Sequence, residues 1–158
     1  RWFRIQIEVA HECKLPLIIH SREAGNRCLE VLKEMEAEKI GGVFHCYAED
    51  AEFAKTLHEM NFLVSFPGIL SFPKADQVRD AAKAIPLEQI MLETDAPYLA
   101  PVPFRGKRCE SAHVRITAEH LARVKGISLE EIATVTTRNA MNFYRLTPEE
   151  TPWNQISL

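Results

Sequence analysis

Four short apolar runs, at residues 15–19, 43–44, 62–66 and 90–92, alternate with longer stretches whose apolar residues recur every three or four positions. Each run is rich in branched or aromatic residues and stops at a polar or turn-forming group, the punctuation of a short strand. The runs are continuously apolar rather than alternating, so both faces of their sheet are expected to be covered. Between them Ala24, Cys28, Leu32 and Met35, then Phe53, Leu57 and Met60, then Val78, Ala82 and Ile85 trace the stripes of amphipathic helices. Strand and helix in alternation predict an α/β fold with a parallel sheet, because parallel neighbours need a crossover and a helix is the usual one.

A Pro-rich, basic loop at residues 96–108 follows the fourth run, and two helices follow it with no strand between them. Gly126 ends the first of these, whose buried stripe is expected at Val114, Ala118, Leu121 and Ala122. Ser128 is placed to cap the second, with Glu131 three residues on to close a capping box. The opening segment fits two patterns, since Ile5, Ile7 and Val9 alternate like a strand while Phe3, Ile7 and Ala10 suit a helix; helix is expected. Residues 147–158 read as a loosely ordered tail. The first residue is Arg1 rather than methionine, which reads as a start inside a longer reading frame.

Bulk properties exclude more than they assign. The 158 residues suit one domain, and 19 Lys and Arg against 22 Asp and Glu create no overall positive field for nucleic acid. A polyanion would have to be recognised locally. Cys13, Cys28, Cys46 and Cys109 form no C-x-x-C pair, so reduced thiols in a cytoplasmic protein are expected. No apolar run approaches the roughly 20 residues of a membrane-spanning helix, so no membrane association is expected. The sequence lacks a G-x-S-x-G elbow, a P-loop and a G-x-G-x-x-G turn, which disfavours serine hydrolases and any nucleotide cofactor.

Three of the four runs end in a metal-capable side chain, in Ile18-Ile19-His20-Ser21-Arg22, Val43-Phe44-His45-Cys46-Tyr47 and Met91-Leu92-Glu93-Thr94-Asp95. In parallel α/β folds the site lies at the carboxyl ends of the strands, so residues distant in sequence converge there. A lone strand-end histidine is more often a hydrogen-bonded structural residue; two with an aspartate at equivalent positions shift the balance toward metal binding. Imidazole and carboxylate together suit Zn, Mn, Fe or Ni better than an all-oxygen site for Mg or Ca, without choosing among them. Such a site keeps open positions at which a bound water is acidified, and the reaction class implied is hydrolysis. Tyr98, Arg105, Lys107 and Arg108 set an aromatic face and three cations beside Asp95, as a phosphodiester and a stacked base require, although a solvated surface loop has the same composition. His11, His58, His113 and His120 read as surface or boundary residues of helices. Strand alternation is expected to turn Cys46 away from the side that His45 faces.

Leu17-Ile18-Ile19-His20-Ser21-Arg22-Glu23-Ala24, Gly41-Gly42-Val43-Phe44-His45-Cys46-Tyr47 and above all Leu92-Glu93-Thr94-Asp95-Ala96-Pro97-Tyr98-Leu99-Ala100-Pro101 resemble the TatD family of metal-dependent deoxyribonucleases. Arg105-Gly106-Lys107-Arg108 with Glu110, Ala112 and Val114 resembles the family's next block, and Asn139-Ala140 with Phe143 its terminal helix. The resemblance implies a TIM-type (β/α)8 metal-dependent hydrolase barrel that cleaves phosphodiester bonds in DNA with two divalent metal ions, Mg, Mn or Zn undistinguished. On that pattern residues 1–146 are its second half, strands five to eight with the closing helices, followed by the tail at 147–158. His20 and His45 are then metal ligands from the fifth and sixth strands. Asp95 is a ligand at the eighth and also the catalytic residue that orients or deprotonates the attacking water. Arg22, Tyr98, Arg105 and Arg108 fall on the DNA side by position. The family's upstream His-x-His pair and glutamate have no counterpart here, and Cys109 and Ser111 replace its usual Asn and Pro. A chain without those ligands is expected to bind metal weakly. The alternatives are an amidohydrolase-like enzyme acting on C–N or lactone bonds, and a non-catalytic half-barrel interaction module that self-associates through its exposed edge.

Overall fold

The computed structural model describes residues 1–147, so the expected tail lies, beyond Thr147, outside the described residues. The chain runs α1 (Trp2–Cys13), β1 (Leu17–His20), α2 (Gly25–Glu34), β2 (Gly42–His45), α3 (Ala51–Glu59), β3 (Phe62–Phe66), α4 (Asp76–Ala84), β4 (Ile90–Leu92), α5 (Val114–Lys125) and α6 (Leu129–Tyr144). All strand pairs are parallel, and the sheet order β1-β2-β3-β4 follows the chain. This is the α/β architecture that the alternating runs predict. The opening segment is the helix expected from Phe3, Ile7 and Ala10, with Ile7 and Ala10 buried.

Two strand bounds moved for local reasons. Lys14 adopts a left-handed φ of 54° and Leu15 N–H donates to the Ala10 carbonyl at 3.1 Å, so Leu15 closes α1 and is 52% exposed. Strand β2 begins one residue earlier than its apolar run. A Cβ on Gly42 would stand 2.4 Å from the Phe62 ring and 2.7 Å from the Leu17 carbonyl oxygen, so only glycine lets β2 lie between its neighbours.

Leu17, Ile19, Phe44, Phe62, Val64, Phe66 and Ile90 project to one side and join Ile7, Leu32, Leu57, Ala82, Leu121 and Ile132 in one core. That burial is the main force holding the sheet and helices together. On the alternate side Val43, Ser65 and Met91 are also buried, but Ile18 on the edge strand β1 is 59% exposed. Coverage of both faces therefore fails at β1. Val114, expected inside, is exposed where it lines an open groove with Leu92 and Leu129; helical spacing selects a face but supplies no neighbour to cover it. No helix among the described residues is long and apolar enough to cross a membrane.

The carboxyl-terminal helices lock the short strand β4. The buried Asn139 amide donates to the Leu87 and Ile90 carbonyls at 2.9 and 2.8 Å, and Gln89 donates to the Ala54 carbonyl at 2.8 Å. Ser128 Oγ accepts the Glu131 N–H at 3.1 Å, but no bond returns from the Glu131 side chain, so the capping box is half made. A reciprocal box forms instead between Glu110 and His113. Ser128→Ala is expected to cost about 1 kcal/mol, read as a shift in the urea midpoint, because the Glu131 N–H loses its acceptor.

Candidate metal centre

His20 and His45 are the last residues of β1 and β2, and the register sets them directly opposite each other. Parallel neighbours lie about 4.8 Å apart, so two imidazoles on the same face must meet. His20 Nδ1 is 3.0 Å from His45 Nε2, and the ring centroids are 5.1 Å apart. On its other side His45 Nδ1 is 3.1 Å from Glu93 Oε1, which also accepts the Cys46 N–H at 2.8 Å. Glu93 N–H donates to the Phe66 carbonyl at 3.2 Å, which carries the β3–β4 ladder one residue past Leu92 and fixes where the carboxylate stands.

These contacts dictate proton positions. A carboxylate only accepts, so His45 Nδ1 carries a proton, and in the neutral imidazole its Nε2 carries a lone pair. That lone pair must then receive the proton of His20 Nδ1. Glu93 was missed by reading strand ends for a single metal-capable residue each. The signal was present, since Glu93 directly follows the apolar run and stands nearer to the strand end than Asp95.

Cys46 corrects the alternation argument. Its φ of 53° breaks the extended backbone, and the side chain lines the same cleft as His20, Arg22, Asp95 and Tyr98 instead of packing away from it. Burial, reinforced by the negative charges of Asp95 and Glu93, pushes its thiol up to about 11. At neutral pH it is therefore protonated and not a nucleophile.

The cleft encloses about 620 Å3. Asp95, three residues beyond β4, sits on its wall in a turn closed by Tyr98 N–H to the Asp95 carbonyl at 2.7 Å. The rest of the loop is ordered by its own turns, by the Cys109 N–H to the Pro97 carbonyl at 3.0 Å, and by Phe104 stacked on His113 at 4.7 Å. His113 thus has a fastening role that its sequence context did not show. Arg105 lies over the Phe72 ring at 4.6 Å and lines an adjoining hollow rather than the cleft itself. Arg108 is exposed and lines neither.

The structure brings His20 and His45 together and sets Asp95 on the cleft that His20 lines. Among the described residues, no three His, Cys, Asp or Glu side chains converge closely enough to hold a metal ion. The pair nevertheless fits one. Two nitrogens each about 2.05 Å from a shared ion stand roughly 2.9 Å apart at a right angle and about 3.3 Å apart in a tetrahedron; the observed separation is 3.0 Å. Glu93 supplies the carboxylate that ligating imidazoles ordinarily carry on their far nitrogen.

A parallel α/β sheet with an oriented imidazole pair at its carboxyl edge defines a class of strand-end metal sites. Within that class the chain belongs to the TatD related DNase family, whose profile matches residues 1–145. It is 44% identical over 144 residues to an uncharacterized metal-dependent hydrolase of Bacillus subtilis, YabD, covering 91% of this chain and 56% of that protein. It is 44% identical over 140 residues to an uncharacterized metal-dependent hydrolase of Escherichia coli K12, YcfH, covering 89% and 53%. The crystal structure of YjjV, a TatD homolog from Escherichia coli, superposes with a TM-score of 0.83 at 24% identity, over 90% of this chain and 54% of that one. The chain spans about half the length of the curated relatives it matches.

Proposed function

We propose that the protein is a cytoplasmic metal-dependent hydrolase that cleaves phosphodiester bonds in DNA. The observation that carries this reading is the Glu93–His45–His20 alignment at the strand ends, whose outer member His20 lines a cleft together with Asp95, Arg22 and Tyr98. The names of the relatives, metal-dependent hydrolases in a family described as DNase, support the reaction class. All four cysteines are free thiols, in keeping with a reducing compartment.

When bound, divalent ions supply an acidified water and positive charge against the phosphate. His45 Nε2 and His20 Nδ1 would hold one such ion, with Asp95 as the third donor. To do so His20 must carry its proton on Nε2, so ion binding and the His20–His45 hydrogen bond are mutually exclusive. Asp95 orients the attacking water and accepts its proton. Arg22 meets the non-bridging phosphate oxygens as a planar fork. Tyr98, 69% exposed, offers its face to a base.

The test sets DNA, a chromogenic phosphodiester and cyclic amides side by side with added Mn or Zn, using wild type and His45→Ala. Weak metal-dependent turnover of the phosphodiesters, lost in the variant, is expected; turnover confined to amides would move the protein to C–N bond hydrolysis. With two converged donors rather than three, the 158-residue chain by itself is expected to bind metal weakly and to turn over little. Robust hydrolysis by that chain, abolished by His45→Ala, would overturn this.

A further inference from the structure

Ala48 and Ile69 line both the histidine cleft and the adjoining hollow of about 640 Å3, so the two share a wall. The hollow has a different chemistry from the cleft. Lys74 and Arg105 line it, together with Phe72 and Gln77, and no carboxylate does. The acid beside Lys74 in sequence, Asp76, is engaged by Arg79 at 2.6 Å.

Arg105 differs from most ion-pairing arginines of this chain. Arg4, Arg27, Arg79 and Arg115 each meet a carboxylate. The Arg105 guanidinium instead sits over an aromatic ring, its carbon 4.6 Å from the Phe72 centroid, and among the described residues no carboxylate or carbonyl receives its N–H groups. A cation held over a ring face is restrained in place without using up its N–H donors. A guanidinium in that state is prepared for two oxygens of one phosphate, whose spacing its planar fork matches.

We propose that this hollow is a second phosphate subsite, in which Arg105, braced on Phe72, and Lys74 take the phosphodiester next to the one held at the histidine cleft. The proposal rests on the phosphodiester reading and extends it, since it makes an oligonucleotide rather than a mononucleotide the preferred ligand. Gln77, whose amide donates to the Ala48 carbonyl at 3.2 Å, holds the rim between the two spaces.

The experiment titrates the full chain with labelled thymidylates of one, two and four nucleotides in EDTA, so that binding is read without cleavage. Polarisation gives affinity, the Arg105 Nε–H resonance gives location, and circular dichroism confirms equal folding of every variant. The dinucleotide is expected to bind about tenfold more tightly than the mononucleotide, the scale of one added charge-assisted pair, and to shift the Arg105 signal. Arg105→Ala should remove that gain, so that mononucleotide and dinucleotide bind alike. Arg105→Lys should restore part of it, and Phe72→Leu, which removes the brace but keeps an apolar side chain, should reduce it. A gain that survives Arg105→Ala, or a wild type with none, would overturn the subsite while leaving the phosphodiester reading intact. A folded wild type that binds no thymidylate of any length in EDTA would overturn the subsite, while the phosphodiester reading stands or falls on the Mn and Zn turnover assay.

Discussion

Glu93→Ala is expected to weaken divalent-cation affinity about ten- to a hundredfold, the effect of deleting the carboxylate behind a ligating imidazole. Glu93 Oε1 is the acceptor that keeps the His45 proton on Nδ1 and the Nε2 lone pair toward His20. Without it the imidazole is free to rotate and to exchange tautomers, and only part of the population presents the nitrogen that faces His20. The same oxygen accepts the Cys46 N–H, so the turn after β2 loosens too. The two lost hydrogen bonds cost roughly 1.5–3 kcal/mol each, so circular dichroism must show the variant folded before the affinity is read. Glu93→Gln should fall between wild type and alanine, because an amide oxygen still accepts but carries no charge. Calorimetric titration with Mn or Zn reads the affinity, and the nitrogen-15 signals of His45 read the tautomer directly. An alanine variant with wild-type affinity and an unchanged His45 spectrum would show that Glu93 only staples the turn.

The strands were legible because parallel strands buried on both sides are written as continuous apolar runs. Residues 62–66 and 90–92 fall where β3 and β4 do. Leu15 was misread because an apolar side chain says nothing of backbone handedness, and the left-handed Lys14 makes Leu15 part of a helix end. Gly42 was invisible for the opposite reason, since its place in β2 comes from the absence of a Cβ against Phe62. His20 and His45 could be found because strand ends converge, yet their 3.0 Å contact is a matter of register. Cys46 was misplaced by extending strand alternation one residue beyond where the extended backbone stops. The Arg105–Phe72 pair has no local signature, because the fold brings together two loops that follow different strands.

Gly68→Ala is expected to destabilise the protein by about 3 kcal/mol, the upper range for forcing a methyl into a filled space. A Cβ there would stand 2.2 Å from the Leu99 carbonyl oxygen and 2.8 Å from Pro101 N. Both are backbone atoms, so no side-chain rotation relieves the overlap. Nor is the loop free to retreat. Ser71 Oγ donates to the Gly68 carbonyl at 2.6 Å and accepts the Val102 N–H at 2.9 Å, which clamps the loop against the turn at Gly68–Ser71. The methyl must therefore break that clamp or displace the segment that carries Asp95, Tyr98 and Leu99. Gly106→Ala is the matched control. Gly106 has φ +85° but nothing within 4 Å of a built Cβ, so it should cost only the ~1–2 kcal/mol of left-handed backbone. Thermal melting should fall by roughly 6–12 °C for Gly68→Ala, at a few degrees per kcal/mol for a chain of this size. Ring resonances of Tyr98 should move in Gly68→Ala and stay in Gly106→Ala. A Gly68→Ala protein that melts like wild type with Tyr98 unmoved would mean that the loop bearing Asp95 is positioned from its own turns alone, and the clamp at Ser71 would lose its role in building the cleft.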